Sequence, residues 1–110
     1  MAVNPDNLAY DYVSFSITGQ TDYDVKAQQV NLFKNVTQAG YVRITTTTAG
    51  ITVKINSTSN AGIVQTTSET LQFGENHIPI RSVSNIYLTN VGTSQVGILL
   101  CAGADAMKYV

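Results

Sequence analysis

The stretch GITVKINSTSN, residues 50–60, contains the alternation that decides the fold class. Ile51, Val53 and Ile55 occupy every second position, and polar side chains stand between them. Because successive side chains of an extended chain point to opposite faces, this pattern predicts a strand with one buried face. The small hydroxyl and amide residues that follow are typical of a loop, since short polar side chains bond their own backbone.

The same alternation recurs along the chain and predicts further strands. Turn residues separate neighbouring strands, so the sequence predicts one hairpin between residues 41–47 and 51–56 and another between 83–89 and 95–101. Pro79 predicts an edge position for its strand, because proline has no backbone N–H to donate. The predicted strands outside the two hairpins lie at residues 12–18, 63–66, 70–73 and 77–80.

Short strands without a convincing helix predict an all-β fold, a single antiparallel β-sandwich or jelly roll. Residues 24–33 are ambiguous, and extended or loop structure is favoured over a helix there. The 110 residues are predicted to form one domain over 1–110, with residues 1–9 as an N-terminal arm. The predicted core consists of Phe15, Ile17, Val42, Ile44, Ile51, Val53, Ile55, Ile86, Leu88, Val96, Ile98 and Leu100.

Charge and composition narrow the classes of function. Only 12% of the residues are charged and the net charge is -1, so no basic surface for nucleic acid is predicted. No apolar run approaches the roughly 18 residues of a membrane span, and no membrane partner is predicted. Cys101 is the single cysteine, which excludes an internal disulfide, and its apolar neighbours predict a buried, unreactive thiol.

Few residues have the chemistry of a catalytic or metal site. His77 is the only histidine, and because triad members need not be adjacent in sequence, a small hydrolase built around it stays an alternative to a surface histidine. Asp22 and Asp24 have a spacing found in calcium loops, but calcium takes about six to eight oxygen ligands. The sequence predicts no enzyme, no cofactor and no metal site.

Acidic residues are concentrated at the start of the chain. Residues 1–25 carry a charge of -4 and no Lys or Arg, whereas residues 26–110 carry +3. Aromatic side chains supply contact area and charge sets orientation, so this segment predicts a partner-binding region. A chance fluctuation among few charges is the alternative. The candidate partner-binding residues are Tyr10, Asp11, Tyr12, Asp22, Tyr23 and Asp24.

Two long stretches carry a resemblance to a known family: NLFKNVTQAGYVRITTTTAGITVKINSTSNAGI, residues 31–63, and LQFGENHIPIRSVSNIYLTNVGTSQVGILLCAG, residues 71–103. They resemble small virion proteins of tailed bacteriophages, of the β-sandwich or jelly-roll type, that decorate or staple the capsid. The segments ITVKINSTSN and NIYLTN are the clearest parts. The resemblance implies a structural virion protein that binds the outer surface of a bacteriophage capsid and stabilises it.

The resemblance also implies the partners and the location. The expected partner is the major capsid protein, and the expected location is the virion, on the outer capsid surface. A homo-oligomer is expected, most simply a dimer with two-fold symmetry. Two alternatives stay open: a receptor- or glycan-binding module of a phage fibre, because jelly rolls also serve as lectins, and the small hydrolase.

Overall fold

The computed structural model describes residues 9–57, 69–78 and 83–102, and within these ranges the fold is all-β, as predicted. Strands hold 70% of the described residues and helix 5%. None of the described helices is long and apolar enough to cross a membrane. The elements are β1 (Tyr10–Asp24), α1 (Val25–Gln28), β2 (Ala39–Thr46), β3 (Thr52–Ser57), β4 (Glu69–Thr70), β5 (Gly74–Ile78) and β6 (Val83–Ala102).

The 20-residue strand β6 organises the sheet. β1 runs antiparallel along one edge of β6, from Tyr10 opposite Cys101 to Asp24 opposite Tyr87. The other edge of β6 is shared: β3 pairs antiparallel with its N-terminal half and β2 pairs with its C-terminal half. Two short strands extend the sheet outward, β4 beside β3 and β5 beside β2, giving the order β4-β3-β6-β2-β5.

The sheet curls until both ends of β6 reach the start of β2. A straight strand of this length would measure about 66 Å at 3.3 Å per residue, whereas the longest dimension of the molecule is 44 Å. From Ala39 to Thr46 of β2, the paired residues on β6 run backward from Ala102 to Val96, so this pairing is antiparallel. Ala39 also forms a single bridge, of parallel sense, to Val83 at the other end of β6. The two halves of the sheet therefore enclose one core.

A bulge on each strand of the β1–β6 pair provides the bend: the extra residue is on β6 between Asn90 and Thr93, and on β1 between Gln20 and Tyr23. The register of β1 on β6 shifts twice between Thr18 and Tyr23. Two residues in this interval, Gly19 and Asp22, have left-handed backbone angles, with φ of 54° and 50°. Extra residues in one strand of an antiparallel pair bend that strand and increase its twist.

The two predicted hairpins are wrong. β2 and β3 do not pair with each other, because each adds to a different half of β6. Residues 90–94, predicted as a hairpin loop, lie inside β6. There, Asn90 donates from Nδ2 to the carbonyls of Ile17 and Gly92. The turn-forming residues thus lie at the bend of a continuous strand, where pairing with β1 overrides their local preference.

The predicted core is confirmed, since all twelve residues are buried. The segment between α1 and β2 adds Leu32, Phe33 and Val36 to the same cluster. The expectation of extended or loop structure was wrong for Val25–Gln28, which form one helical turn capped by Asp24. β5 lies at the end of the sheet order, in agreement with an edge strand, although Pro79 itself and the strand predicted at 63–66 lie outside the described residues.

Candidate functional site

One side of the curled sheet presents a broad surface away from the core. It is formed by β5, β2, the C-terminal half of β6 and the N-terminal half of β1, whose alternate residues point outward. We call this surface the outer face. Its exposed and half-buried side chains are Tyr10, Tyr12, Ser14, Ser16, Arg43, Thr45, Glu75, His77, Gln95, Leu99 and Cys101. Tyr41 lies among them but is only 2% exposed.

Two large aromatic side chains dominate the β1 side of the outer face. Tyr10 and Tyr12 are 62% and 54% exposed. Tyr12 lies opposite Leu99, and its side chain reaches across to Gly97 on β6. A Cβ atom at position 97 would come within 2.8 Å of the Tyr12 Oη atom and 3.5 Å of two ring carbons. The absence of a side chain at Gly97 therefore allows the Tyr12 ring to lie against β6.

A series of polar side chains in contact with one another lies on the β5 side of the outer face. The Tyr41 hydroxyl lies 2.8 Å from Nδ1 of His77, and Nε2 of His77 lies 3.5 Å from Oε1 of Glu75. Arg43 Nη1 lies 3.7 Å from the same Glu75 oxygen. Burial raises the pKa of the Tyr41 phenol, and Arg43 opposes that shift. A raised pKa is the reverse of what an activated nucleophile needs.

The pKa shift of Tyr41 predicts a loss of stability in alkali. Because the folded state holds the phenol proton more tightly than the unfolded state, the stabilising contribution is complete below pH 10 and disappears as pH rises through the folded pKa. We expect Tyr41→Phe to flatten the fall in the free energy of unfolding above pH 10. Urea denaturation at a series of pH values measures the free energy of unfolding, with Tyr10→Phe as the exposed control. Identical slopes for parent and Tyr41→Phe would contradict the prediction.

Asp11, one of the predicted partner-binding residues, is buried and hydrogen-bonded within its own chain. The side chain points into the protein and the residue is only 4% exposed. Its carboxylate accepts hydrogen bonds from the backbone N–H of Asn35 at 2.9 Å, from that of Val36 at 2.8 Å and from Asn35 Nδ2 at 2.9 Å. Asp11 therefore ties the segment before β2 to β1.

Asp22 and Asp24 also have partners within the chain. Asp22 Oδ1 forms an ion pair with Lys54 Nζ at 3.0 Å. Asp24 Oδ1 accepts from the N–H of Ala27 at 3.2 Å and from Asn85 Nδ2 at 2.8 Å. These contacts give the acidic segment intramolecular roles that charge along the sequence does not indicate.

The recess beside these two aspartates is small. Asp22, Asp24, Lys54 and Tyr87 line an open volume of about 250 Å³, below the roughly 300–1,000 Å³ of small-molecule sites. Among residues 9–57, 69–78 and 83–102, no three His, Cys, Asp or Glu side chains are grouped to hold a metal ion.

Tyr23 likewise supports the fold. Its ring stacks on Phe15 with centroids 5.6 Å apart, and its hydroxyl accepts a hydrogen bond from Gln29 Nε2 at 2.8 Å. Of the six residues predicted to bind a partner, Tyr10 and Tyr12 thus lie together on the outer face, and the other four hold β1 to the rest of the protein.

The outer face also contains residues that were not among the six predicted from the sequence. Arg43 and Leu99 lie opposite each other on β2 and β6, and both are half-buried. Their outward positions follow from strand alternation, but their proximity to Tyr12 depends on which strands pair. Cys101 is half-buried rather than buried as predicted, and burial raises the pKa of its thiol.

Comparison with known proteins yields one distant structural similarity. No family model and no curated protein matches the chain. A solved structure described as "Bacillus endospore appendages form a novel family of disulfide-linked pili" is similar over 88% of this chain and 90% of that chain. The sequence identity is 11% and the TM-score is 0.47. A similarity of this size transfers no function.

Proposed function

We propose that this chain is a structural virion protein that binds the outer surface of a bacteriophage capsid and stabilises it, and that it attaches through the outer face. The observation that carries the proposal is the pair of exposed rings, Tyr10 and Tyr12, next to Leu99 on one sheet surface. The family comes from the resemblance of residues 31–63 and 71–103 to capsid decoration proteins.

The chemistry of the outer face supports a contact with protein. Protein interfaces are enriched in Tyr and Arg and depleted in other charged residues, and their strongest contacts are often these two residue types. The outer face carries Tyr10, Tyr12 and Arg43 among hydroxyl side chains such as Ser14 and Ser16. Its ion pair between the half-buried Arg43 and the exposed Glu75 is long, at 3.7 Å, and an ion pair in contact with solvent contributes little free energy.

The proposal treats the protein as a non-enzyme. The arrangement nearest to a catalytic one is Tyr41, His77 and Glu75, and burial keeps the Tyr41 hydroxyl protonated. His77 then serves only as a partner of Tyr41 and Glu75 within its own chain. Replacing His77 with Ala should leave capsid association unchanged, and a hydrolase assay on the parent should show no activity that this variant loses.

Glycan binding is a second candidate function, favoured by one observation. The exposed Tyr10 and Tyr12 rings stand two residues apart on the same side of β1, and flat aromatic surfaces of this kind contact sugar rings. A glycan array decides between the two functions. Binding of a glycan, together with no binding to capsids, would replace the capsid proposal with a receptor-binding module.

Removal of the two tyrosines is expected to abolish most of the capsid binding. Co-sedimentation with purified capsids of the phage that carries the gene measures the dissociation constant for the parent and for Tyr10→Ser with Tyr12→Ser. Truncation of a central aromatic contact commonly costs about 2 kcal/mol, so we expect at least a tenfold loss, about 1.4 kcal/mol or more. Val30→Ser is the control, because Val30 is an apolar residue, 75% exposed, in the segment between α1 and β2 and on none of the strands that form the outer face.

A glycine substitution tests the same contact without removing either tyrosine. Gly97→Ala places a methyl group against the Tyr12 ring and must displace it, whereas Gly92→Ala meets no atom within 4 Å. We expect Gly97→Ala to weaken capsid binding and Gly92→Ala to leave it unchanged. If the double tyrosine variant and Gly97→Ala both bind capsids like the parent, the outer face is not the attachment surface.

A further inference from the structure

We propose that two copies of this chain pair through the free edges of their β1 strands, forming one continuous antiparallel sheet across a two-fold axis. The paired segment is Tyr10–Thr18, which precedes the bulge in β1. The proposal does not rest on capsid binding, because edge pairing between two copies needs no third protein.

The register identifies which backbone groups of β1 are free. Ala102 donates its N–H to the carbonyl of Ala9, which lies opposite it one step beyond the pair Tyr10 and Cys101. Hydrogen-bonded and non-hydrogen-bonded pairs alternate along an antiparallel ladder. Odd-numbered residues up to Ile17 therefore bond to β6, and the even-numbered residues direct their N–H and C=O groups away from it.

The free edge ends at Thr18, whose carbonyl accepts a hydrogen bond from a side chain of β1 itself. Gln20 Nε2 donates to the carbonyl of Thr18 at 3.3 Å, so this even-numbered carbonyl points away from β6, as the alternation requires. Beyond it, the bulge and the left-handed Gly19 and Asp22 turn the strand. In the part of the chain that the structure describes, β1 pairs with β6 and with no other strand.

The free edge lacks most of the features that keep edge strands apart, and its one inward-pointing charge, Asp11, is hydrogen-bonded within its own chain. Natural edges are protected by Lys, Pro, bulges or very short length. Tyr10–Thr18 has a regular register and contains no Lys, Arg or Pro. On the core side of this strand, Val13 and Phe15 are each 9% exposed, more than most of the core, as expected for a strand with an uncovered edge.

A second copy of the same segment is a complementary occupant. With the two-fold axis at Ser14, the middle of the segment, Ser14 faces Ser14 of the second copy and Tyr12 faces Ser16 of the second copy. Asp11, the one charged residue in the segment, faces Ile17 of the second copy, and its carboxylate is already bonded inside its own chain. Asp22 and Asp24 lie beyond the bulge, so no like charges are placed opposite each other.

Hydrogen exchange on the parent protein tests the pairing residue by residue. Amide exchange is followed by NMR at protein concentrations from micromolar to millimolar, with sedimentation velocity reporting the mass at each concentration. When the dimer forms, we expect the amides of Tyr12, Ser14 and Ser16 to exchange at least about tenfold more slowly, while those of Val13 and Phe15 stay protected throughout. Fast exchange of the three even-numbered amides in a dimer, or a monomer at all concentrations, would overturn the proposal.

A proline substitution with a matched control gives a second test. Ser14→Pro removes the N–H that points to the free edge, and Ser14→Ala removes the same hydroxyl, which accepts a hydrogen bond from Gln95 Nε2, but keeps the N–H. We expect Ser14→Pro to be a monomer and Ser14→Ala a dimer. A dimeric Ser14→Pro would contradict edge pairing, and if this variant does not fold, the hydrogen exchange of the parent decides.

One further outcome identifies a different occupant. If Tyr12, Ser14 and Ser16 are protected while the protein sediments as a monomer, another segment of the same chain covers the edge and the proposed dimer is wrong.

Discussion

Val53→Asp is expected to lower the free energy of unfolding by about 3–5 kcal/mol, because it places a charge without a partner in the core. Val53 is 1% exposed and lies on β3, opposite Leu88 of β6 on one side and Glu69 of β4 on the other. Unlike a surface strand, β3 cannot slip by one residue to turn the new carboxylate outward, since its whole apolar set would turn with it.

Lys54→Gln is the matched control for Val53→Asp. Lys54 is the next residue on the same strand, points to the other face and forms an ion pair with Asp22. Loss of such an exposed pair costs about 0.2–1 kcal/mol. Urea denaturation of both variants measures the difference, and equal midpoints would show that the assigned facing of β3 is wrong.

Asp11→Ala is expected to lower the free energy of unfolding by about 3–5 kcal/mol. This is a large effect for a charged residue near the start of the described chain. The carboxylate accepts three hydrogen bonds, two of them from the backbone of Asn35 and Val36. Val36 is 1% exposed, so its N–H would be left without a partner and without water. A hydrogen bond to a charged group contributes about 1.5–3 kcal/mol, and an unsatisfied buried donor adds its desolvation cost.

Two further variants at aspartate positions make the Asp11 prediction specific. Asp22→Asn removes the charge of an aspartate on the same strand whose partners are exposed and keeps a side chain that tolerates the left-handed φ of 50°, so we expect a loss below about 1 kcal/mol. Asp11→Asn keeps one acceptor oxygen but presents an amide to a second donor, so its stability should fall between the parent and Asp11→Ala. Chemical denaturation compares the variants. A loss for Asp11→Ala no larger than for Asp22→Asn would mean that the Asp11 contacts contribute no stability.

The aspartates show how much of the candidate site could be predicted from the sequence. The concentration of negative charge in residues 1–25 is a property of the sequence, and it predicted a partner-binding region. In the folded chain, Asp11, Asp22 and Asp24 each bind a group more than 20 residues away: Val36, Lys54 and Asn85. Charge along a sequence does not show which charges are matched by distant groups, so it could not separate these residues from Tyr10 and Tyr12.

The outer face shows that the sequence could not predict how its other residues come together. Alternation places Tyr12, Arg43 and Leu99 on outward positions of their strands. Their assembly into one surface depends on β6 pairing with β1 on one edge and β2 on the other. The role of Gly97 also appears only then, because the position faces Tyr12 across the strand pair.

Strand alternation alone was sufficient to determine the all-β class and the twelve core residues, since the period of an extended chain is a local property of the backbone and burial follows from it. Strand pairing was decided by long-range contacts. The turn signals at residues 47–50 and 90–94 predicted hairpins, but β2 and β3 add to different halves of one 20-residue strand that bends instead of turning back. A local turn preference of a few residues is small beside a ladder of backbone hydrogen bonds and a shared core, and these form only when distant segments meet.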